Sequence, residues 1–213
     1  MTQVQQTYKE REKRRREHEI VLEARRLIHE HGAASFNMDS LAEAVGVSKP
    51  TLYQHFKSKD DLIVRVLVEV ITEMGSYLAA MSEGSPLERL KNTLRKVLIQ
   101  RYTAEKFRID FDWDMTILPL RSRPEVLAAK NETMAVVSAV IEEGKAIGEI
   151  TTTIPTPVIG CLLFRLLGLP ASVKLYSSVE TDIPYAGEAF TEATFEPLLN
   201  HVIEIFERSV AQT

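Results

Sequence analysis

Cysteine occurs once in the 213 residues, at Cys161, so no internal disulfide can form and no Cys-rich zinc site can be built. Long apolar runs are missing too. No stretch reaches the roughly 18 residues a membrane-spanning helix needs. The charged start (Lys9, Arg11, Lys13–Arg16) is followed by no apolar segment, which excludes a secretory signal and leads us to expect a soluble, cytoplasmic chain. Glycine and proline are sparse at 9 each, against 45% hydrophobic residues, which excludes collagenous and low-complexity classes. The five histidines are scattered, His29 and His31 cannot share a helix face, and no HExxH spacing occurs. No metal site is expected. Neither a GxSxG elbow nor a Gly-rich phosphate loop is present, so no catalytic residue and no cofactor are expected.

What is present is helical periodicity. Ile20, Val21, Ala24, Leu27 and Ile28 line one face of a helix that Gly32 should end. Short segments follow at 38–45 and 49–56, then longer ones at 59–81, 86–102, 123–145, 155–169 and 188–210. Residues 107–118 alternate apolar and polar as a strand would, but a lone strand cannot satisfy its backbone, so a helix is preferred there. The fold class expected is all-α, with about nine helices. Charge is unevenly shared: residues 1–65 carry 12 Lys and Arg against 10 Asp and Glu, whereas residues 66–213 carry 14 against 20. An anionic partner at the N-terminal end would suit that asymmetry.

The informative stretch is NMDSLAEAVGVSKPTLYQHFKSK at residues 37–59. Two short helices are separated by Val45-Gly46-Val47-Ser48, where Gly46 permits a sharp turn and Ser48 can cap the second helix. Leu41, Val45, Val47, Leu52 and Phe56 supply inward side chains. At 100° per residue, Pro50 and Gln54 point outward, flanked by Thr51 and His55 on one side and Tyr53 and Lys57 on the other. A face of hydrogen-bonding and cationic groups without an acid suits a helix in the major groove. Lys59 opens the next helix, where its ammonium and the free N–H groups would both favour a phosphate.

In residue type and spacing over about 50 residues, this stretch resembles the DNA-binding domain of the TetR family of bacterial transcriptional regulators. The resemblance rests on Leu41-Ala42, Val45-Gly46-Val47-Ser48, Thr51-Leu52-Tyr53, His55-Phe56, Lys59 and Leu62. It implies a three-helix DNA-binding domain at 17–64 after a basic arm at 1–16, then a ligand-binding and dimerisation domain at 65–213. Tyr53 and Lys59 would hold phosphates, and Lys49, Pro50, Thr51, Gln54 and His55 would face bases or nearby phosphates, with Ser48 and Lys57 beside them. Asp39 departs from the pattern, since its carboxylate would repel phosphate and leave Ser40 to make that contact.

A ligand pocket is expected from Met74, Tyr77, Tyr102, Phe107, Phe111, Trp113, Met115, Met134, Cys161, Phe164 and Arg165. The Asp110, Asp112 and Asp114 cluster could receive a cationic ligand or simply be solvated. Ile159, Leu162, Leu166, Phe195, Leu199, Val202 and Phe206 are expected at a homodimer interface. The expectation is a repressor that binds a pseudo-palindromic double-stranded DNA operator as a homodimer and is released by a small, largely apolar effector, without membrane association. The alternatives are a helical small-molecule-binding or enzyme domain with a vestigial helix-turn-helix, and an effector-independent DNA-binding protein.

Overall fold

The computed structural model describes residues 8–102, 117–167 and 192–212, which form eight α-helices and one short 3-10 helix. No strand occurs among the described residues, only an isolated antiparallel bridge between Ile150 and Ala211.

Helix α1 (Tyr8–Ser35) buries Ile20, Val21, Ala24, Leu27 and Ile28, the stripe its periodicity predicts. Its outer face is laced by ion pairs one turn apart, Lys13–Glu17, Arg16–Glu19 and Arg26 with Glu23 and Glu30. Residues 8–16 of the expected arm are the first described turns of this helix, with Arg15 bonded to both Glu12 and Glu19, and residues 1–7 of it lie outside the described residues. At Gly32 (φ 78°, ψ 155°) the helix kinks, and the turn beyond it carries Ala33 and then Phe36 into the core.

Helices α2 (Met38–Val45) and α3 (Lys49–His55) follow, and each is capped by its own sequence. Asn37 Oδ1 accepts the amides of Asp39 and Ser40 at 3.1 and 2.9 Å, and Ser48 Oγ accepts that of Thr51 at 3.3 Å. Gly46 (φ 72°, ψ 38°) takes the left-handed conformation that closes α2.

Helix α4 (Lys59–Ala80) belongs to two cores. Its first half sends Leu62, Ile63, Val66 and Leu67 into a cluster with α1, α2 and α3. Its second half sends Met74 and Leu78 into a cluster built by α5 (Pro86–Tyr102), α6 (Pro124–Ala146), α7 (Thr156–Leu166) and α8 (Glu192–Val210). The first core also takes Ile117, Leu120 and Val126, around the 3-10 helix at Leu118–Ser122, so residues beyond 64 complete it. Ser85 and Glu88 exchange side-chain and backbone hydrogen bonds at the start of α5, a reciprocal cap. Where α4 meets α6, an added Cβ on Gly75 would lie 3.0 Å from Thr133 Oγ1, and buried Thr133 donates that hydroxyl to the Ile71 carbonyl at 3.1 Å.

One expectation is corrected. Ile159, Leu166, Phe195, Leu199, Val202 and Phe206 are buried within this single chain, and Leu162 is half-buried against the same core. The apolar stripes of α7 and α8 face each other and α5 and α6, so they are not an open surface for a second copy. The outward faces carry instead Val158, Cys161 and Arg165 on α7, and His201, Glu204, Ile205 and Arg208 on α8. Among the described residues no helix is long and apolar enough to cross a membrane, and no group of three His, Cys, Asp or Glu side chains is disposed to hold a metal ion.

Candidate nucleic-acid interface and the cavity behind it

Helix α3 is anchored by Leu52, which is fully buried, and by Phe56 just past its end. That anchorage turns Lys49, Pro50, Tyr53 and Gln54 outward, with Lys57 following, all exposed; Ser40 and Ser48 are exposed beside them. Thr51 is half-buried and shares a hydrogen bond of 2.7 Å with the Ser48 hydroxyl, so its side chain is partly committed to the cap.

Two of the expected contacts are arranged differently. The His55 side chain is only 14% exposed, and its Nδ1 lies 3.4 Å from Glu17 Oε1 on α1. Sequence projection puts it on the outer flank, yet α1 packs over that flank, so His55 ties α3 to α1. Asp39, expected only to repel phosphate, pairs with Lys49 (Nζ to Oδ1, 2.6 Å) and holds the Lys49 ammonium above its usual pKa, chiefly through that hydrogen bond.

Lys59 sits at the first turn of α4. Its ammonium lies 5.7 Å from the Phe36 ring centroid and 3.5 Å from the Ala34 carbonyl oxygen, which positions the charge at the helix N-terminus. One residue on from Asp60, the Asp61 carboxyl is held below its ordinary pKa, first by the Ser58 hydroxyl and then by Arg123. Arg123 Nη2 lies 3.2 Å from Asp61 Oδ1, a bond from the residue preceding α6 to the first turn of α4.

Behind this surface lies a cavity of about 400 Å³ between α1, α4, α5, the 3-10 helix, α6 and α7. Six expected ligand residues line it: Met74, Tyr77, Met134, Cys161, Phe164 and Arg165. Phe107, Phe111, Trp113 and Met115, the Asp110, Asp112 and Asp114 cluster, and the side chain of Tyr102 lie outside the described residues. Sequence reasoning missed Leu67, Val70, Ile71 and Val126, and also the charged lining groups Arg25, Glu73, Arg121 and Lys130. Arg25 Nη1 is 2.5 Å from Glu73 Oε1, a bond between α1 and α4 at the cavity wall. The only signal for Arg25 was a cation beside the buried Val21, Ala24 and Ile28 on α1.

Comparison with known proteins bears on the first unit most strongly. Residues 20–66 match the family described as bacterial regulatory proteins, tetR family. The HTH-type transcriptional regulator TtgR of Pseudomonas putida is 28% identical over 180 residues, covering 76% of this chain and 85% of that protein. An uncharacterized HTH-type transcriptional regulator of Bacillus subtilis (strain 168), YvaF, is 41% identical over 78 residues, covering 37% of this chain but only 38% of its own length. Among solved structures, the fatty acid degradation regulator FadR of Bacillus halodurans superposes with a TM-score of 0.70 at 17% identity, covering 90% of this chain and 94% of that one. At that identity the superposition speaks for the fold.

Proposed function

We propose that this chain is a helix-turn-helix transcriptional regulator of the TetR type, a reading supported by the family match at residues 20–66 and the likeness to TtgR, and that it is a ligand-responsive repressor that binds a pseudo-palindromic operator as a homodimer. The observation that carries this reading is the double membership of α4. Lys59 stands at its start beside the proposed DNA-facing surface, Leu62, Ile63, Val64, Val66 and Leu67 belong to the first core, and Leu67, Val70, Ile71, Glu73, Met74 and Tyr77 line the cavity. A ligand that displaces the α4 side chains at the cavity therefore acts on the same rigid rod that carries Lys59.

The remaining assignments follow from chemistry. Tyr53 and Lys59 contact phosphates, Pro50 and Gln54 face base edges, and Ser40, Ser48, Lys49, Thr51 and Lys57 supply flanking contacts. His55 positions α3 against α1. A single recognition helix of seven residues buries too little to select a site. Two copies about 34–36 Å apart would read successive major grooves on one face of the duplex. The exposed faces of α7 and α8, with Val158 and Ile205 at their apolar positions, are the dimer surface in this reading. Cavity size and apolar lining suit a small effector, whose binding lowers DNA affinity through a coupling of about 1.4 kcal/mol for each tenfold. In this reading α4 joins the DNA-binding unit to the effector unit.

The test is a fluorescence-anisotropy titration against the DNA upstream of the protein's own gene, beside random DNA, at two salt concentrations. A sequence-specific regulator gives much tighter binding to the first DNA, steeply weakened by salt. Weak, equal binding to both, persisting through a selection from a random DNA library, would refute the operator-binding reading.

A further inference from the structure

The carboxylate of Asp39 does little for the fold. Asn37 already caps α2 by accepting the amides of Asp39 and Ser40. An acid in the first turn suits the helix dipole, but weakly at such exposure. The Asp39 side chain is 65% exposed and that of its partner Lys49 52%, and an ion pair so open to water contributes little stability. Yet this acid stands beside the surface proposed to face DNA, where phosphates would repel it. An acid that met phosphates alone would weaken every DNA complex.

The pair has the chemistry of a base reader. Lys49 opens α3, and the first residues of a recognition helix are those that meet base edges. Its ammonium has three N–H donors, and the 2.6 Å contact to Asp39 Oδ1 occupies one of them. Asp39 Oδ2 is an acceptor outside that contact. Two donors thus stand beside one acceptor. In the major groove a guanine–cytosine pair presents the acceptors N7 and O6 and then the donor N4, whereas an adenine–thymine pair presents acceptor, donor, acceptor and a methyl group. The first pattern complements the pair and the second does not. We infer that Asp39 and Lys49 together read one guanine–cytosine pair: Lys49 Nζ donates to guanine N7 and O6, and Asp39 Oδ2 accepts from cytosine N4. The inference rests on α3 being the recognition helix, and it carries Lys49 from a flanking contact to a base contact. Asp39 also positions the long lysine side chain before DNA arrives. Its charge disfavours DNA at large and is compensated at one base pair, which widens the gap between specific and non-specific binding.

The test is selection of duplexes from a random DNA library by the full chain, then anisotropy titration of the selected duplex and of versions changed at one base pair. The wild-type chain should select half-sites in which one guanine–cytosine pair is bound at least about fivefold tighter than adenine–thymine at that place. Lys49→Met should lose that preference. Asp39→Ala should weaken it several-fold at the same pair while binding random DNA more tightly. Asp39→Asn, which keeps an acceptor without the charge, should retain more of the preference than alanine does. The double variant should discriminate no worse than Lys49→Met alone, because the two side chains act as one reader. Lys57→Met, at a flanking contact, should lower affinity and leave the selected sequence unchanged. A folding loss, checked by circular dichroism, would lower binding to all sequences alike. The inference is overturned if Lys49→Met or Asp39→Ala selects the wild-type sequence with its preference intact, if the two alter different base pairs, or if Asp39→Ala tightens all duplexes by one factor; the operator-binding reading survives each of these. Enrichment of no sequence by the wild-type chain removes that reading and the inference with it.

Discussion

Gly32 and Gly46 offer a controlled pair, because both have φ near +75° and neither has any atom within 4 Å of an added Cβ. Steric crowding by neighbours is therefore absent at both, and the cost of Gly→Ala is backbone conformation alone. At Gly46, ψ is 38°, the left-handed helical region that an L-residue enters at about 1–2 kcal/mol. Alanine also narrows the unfolded ensemble, which returns about 0.4–1 kcal/mol, so Gly46→Ala should cost about 1 kcal/mol net. At Gly32, ψ is 155°, a region essentially reserved for glycine, and the cost rises to about 3 kcal/mol, or about 2 net. For a chain of this length each 1 kcal/mol corresponds to about 2–4 °C in midpoint temperature. Gly46→Ala should thus lower it by about 2–4 °C and Gly32→Ala by at least about 4 °C. The measurement is circular dichroism of both variants at one fixed protein concentration, since association of subunits would shift the midpoint. Gly46→Asn should recover part of the loss, because asparagine tolerates the left-handed conformation. Equal losses at 32 and 46, or a larger one at 46, would refute the argument from ψ.

Other expectations can be checked with the same DNA assay or simple biophysics. Tyr53→Phe and Lys59→Ala should weaken binding to specific and random DNA alike, Lys59→Ala flattening the salt dependence by about one unit, whereas Gln54→Ala should relax base choice at a cost of about 1–3 kcal/mol on the operator only. Asp39→Asn should tighten binding to both DNAs and steepen the salt dependence, because it releases Lys49 from its partner; an unchanged salt slope would mean that the pair does not compete with DNA. Val158→Glu combined with Ile205→Glu should give folded monomers by sedimentation, while Phe206→Ala, with no exposed surface, should instead cost about 3–5 kcal/mol of stability. The depressed Asp61 carboxyl contributes stability that is present above the ordinary aspartate range, near pH 4, and is lost as pH falls through its lower folded pKa. With 35% of the side chain exposed, that contribution is below about 1 kcal/mol. A carboxyl NMR titration should show Ser58→Ala raising the Asp61 pKa more than Arg123→Ala does.

The helix-turn-helix was legible because its determinants are local. Gly46 at the turn, Ser48 at the cap, and Leu52 and Phe56 as anchors all act within a few residues of one another. His55 shows where that locality ends. Its helical phase is correct, but α1, 38 residues upstream, covers the face it occupies. The stripes of α7 and α8 fail as dimer markers for a related reason. Period-3.6 apolarity says that a face is covered, not whether the cover comes from the same chain or another. Aromatic and methionine content pointed to the cavity through Met74, Met134 and Phe164. Of the charged lining only Arg165 was expected; Arg25, Arg121 and Lys130 did not show, because they come together with it only after four elements have packed.

The contact between Gly75 and Thr133 has a mechanical consequence. With no side chain on one helix and a hydroxyl of the other bonded to the Ile71 carbonyl, α4 is pinned there closely enough that sliding along α6 would break both features. Tilting about the pin breaks neither. The contact is thus a fulcrum, and α4 is a beam with unequal arms. From Gly75 to Lys59 the rod runs about 24 Å at 1.5 Å per residue. A rotation of about 5° at the fulcrum would carry Lys59 through about 2 Å, several times the roughly 0.5 Å range of a hydrogen-bond length. Side-chain displacements of ångström size near the pivot, at Met74 or Tyr77, are thereby magnified at the far end of the beam.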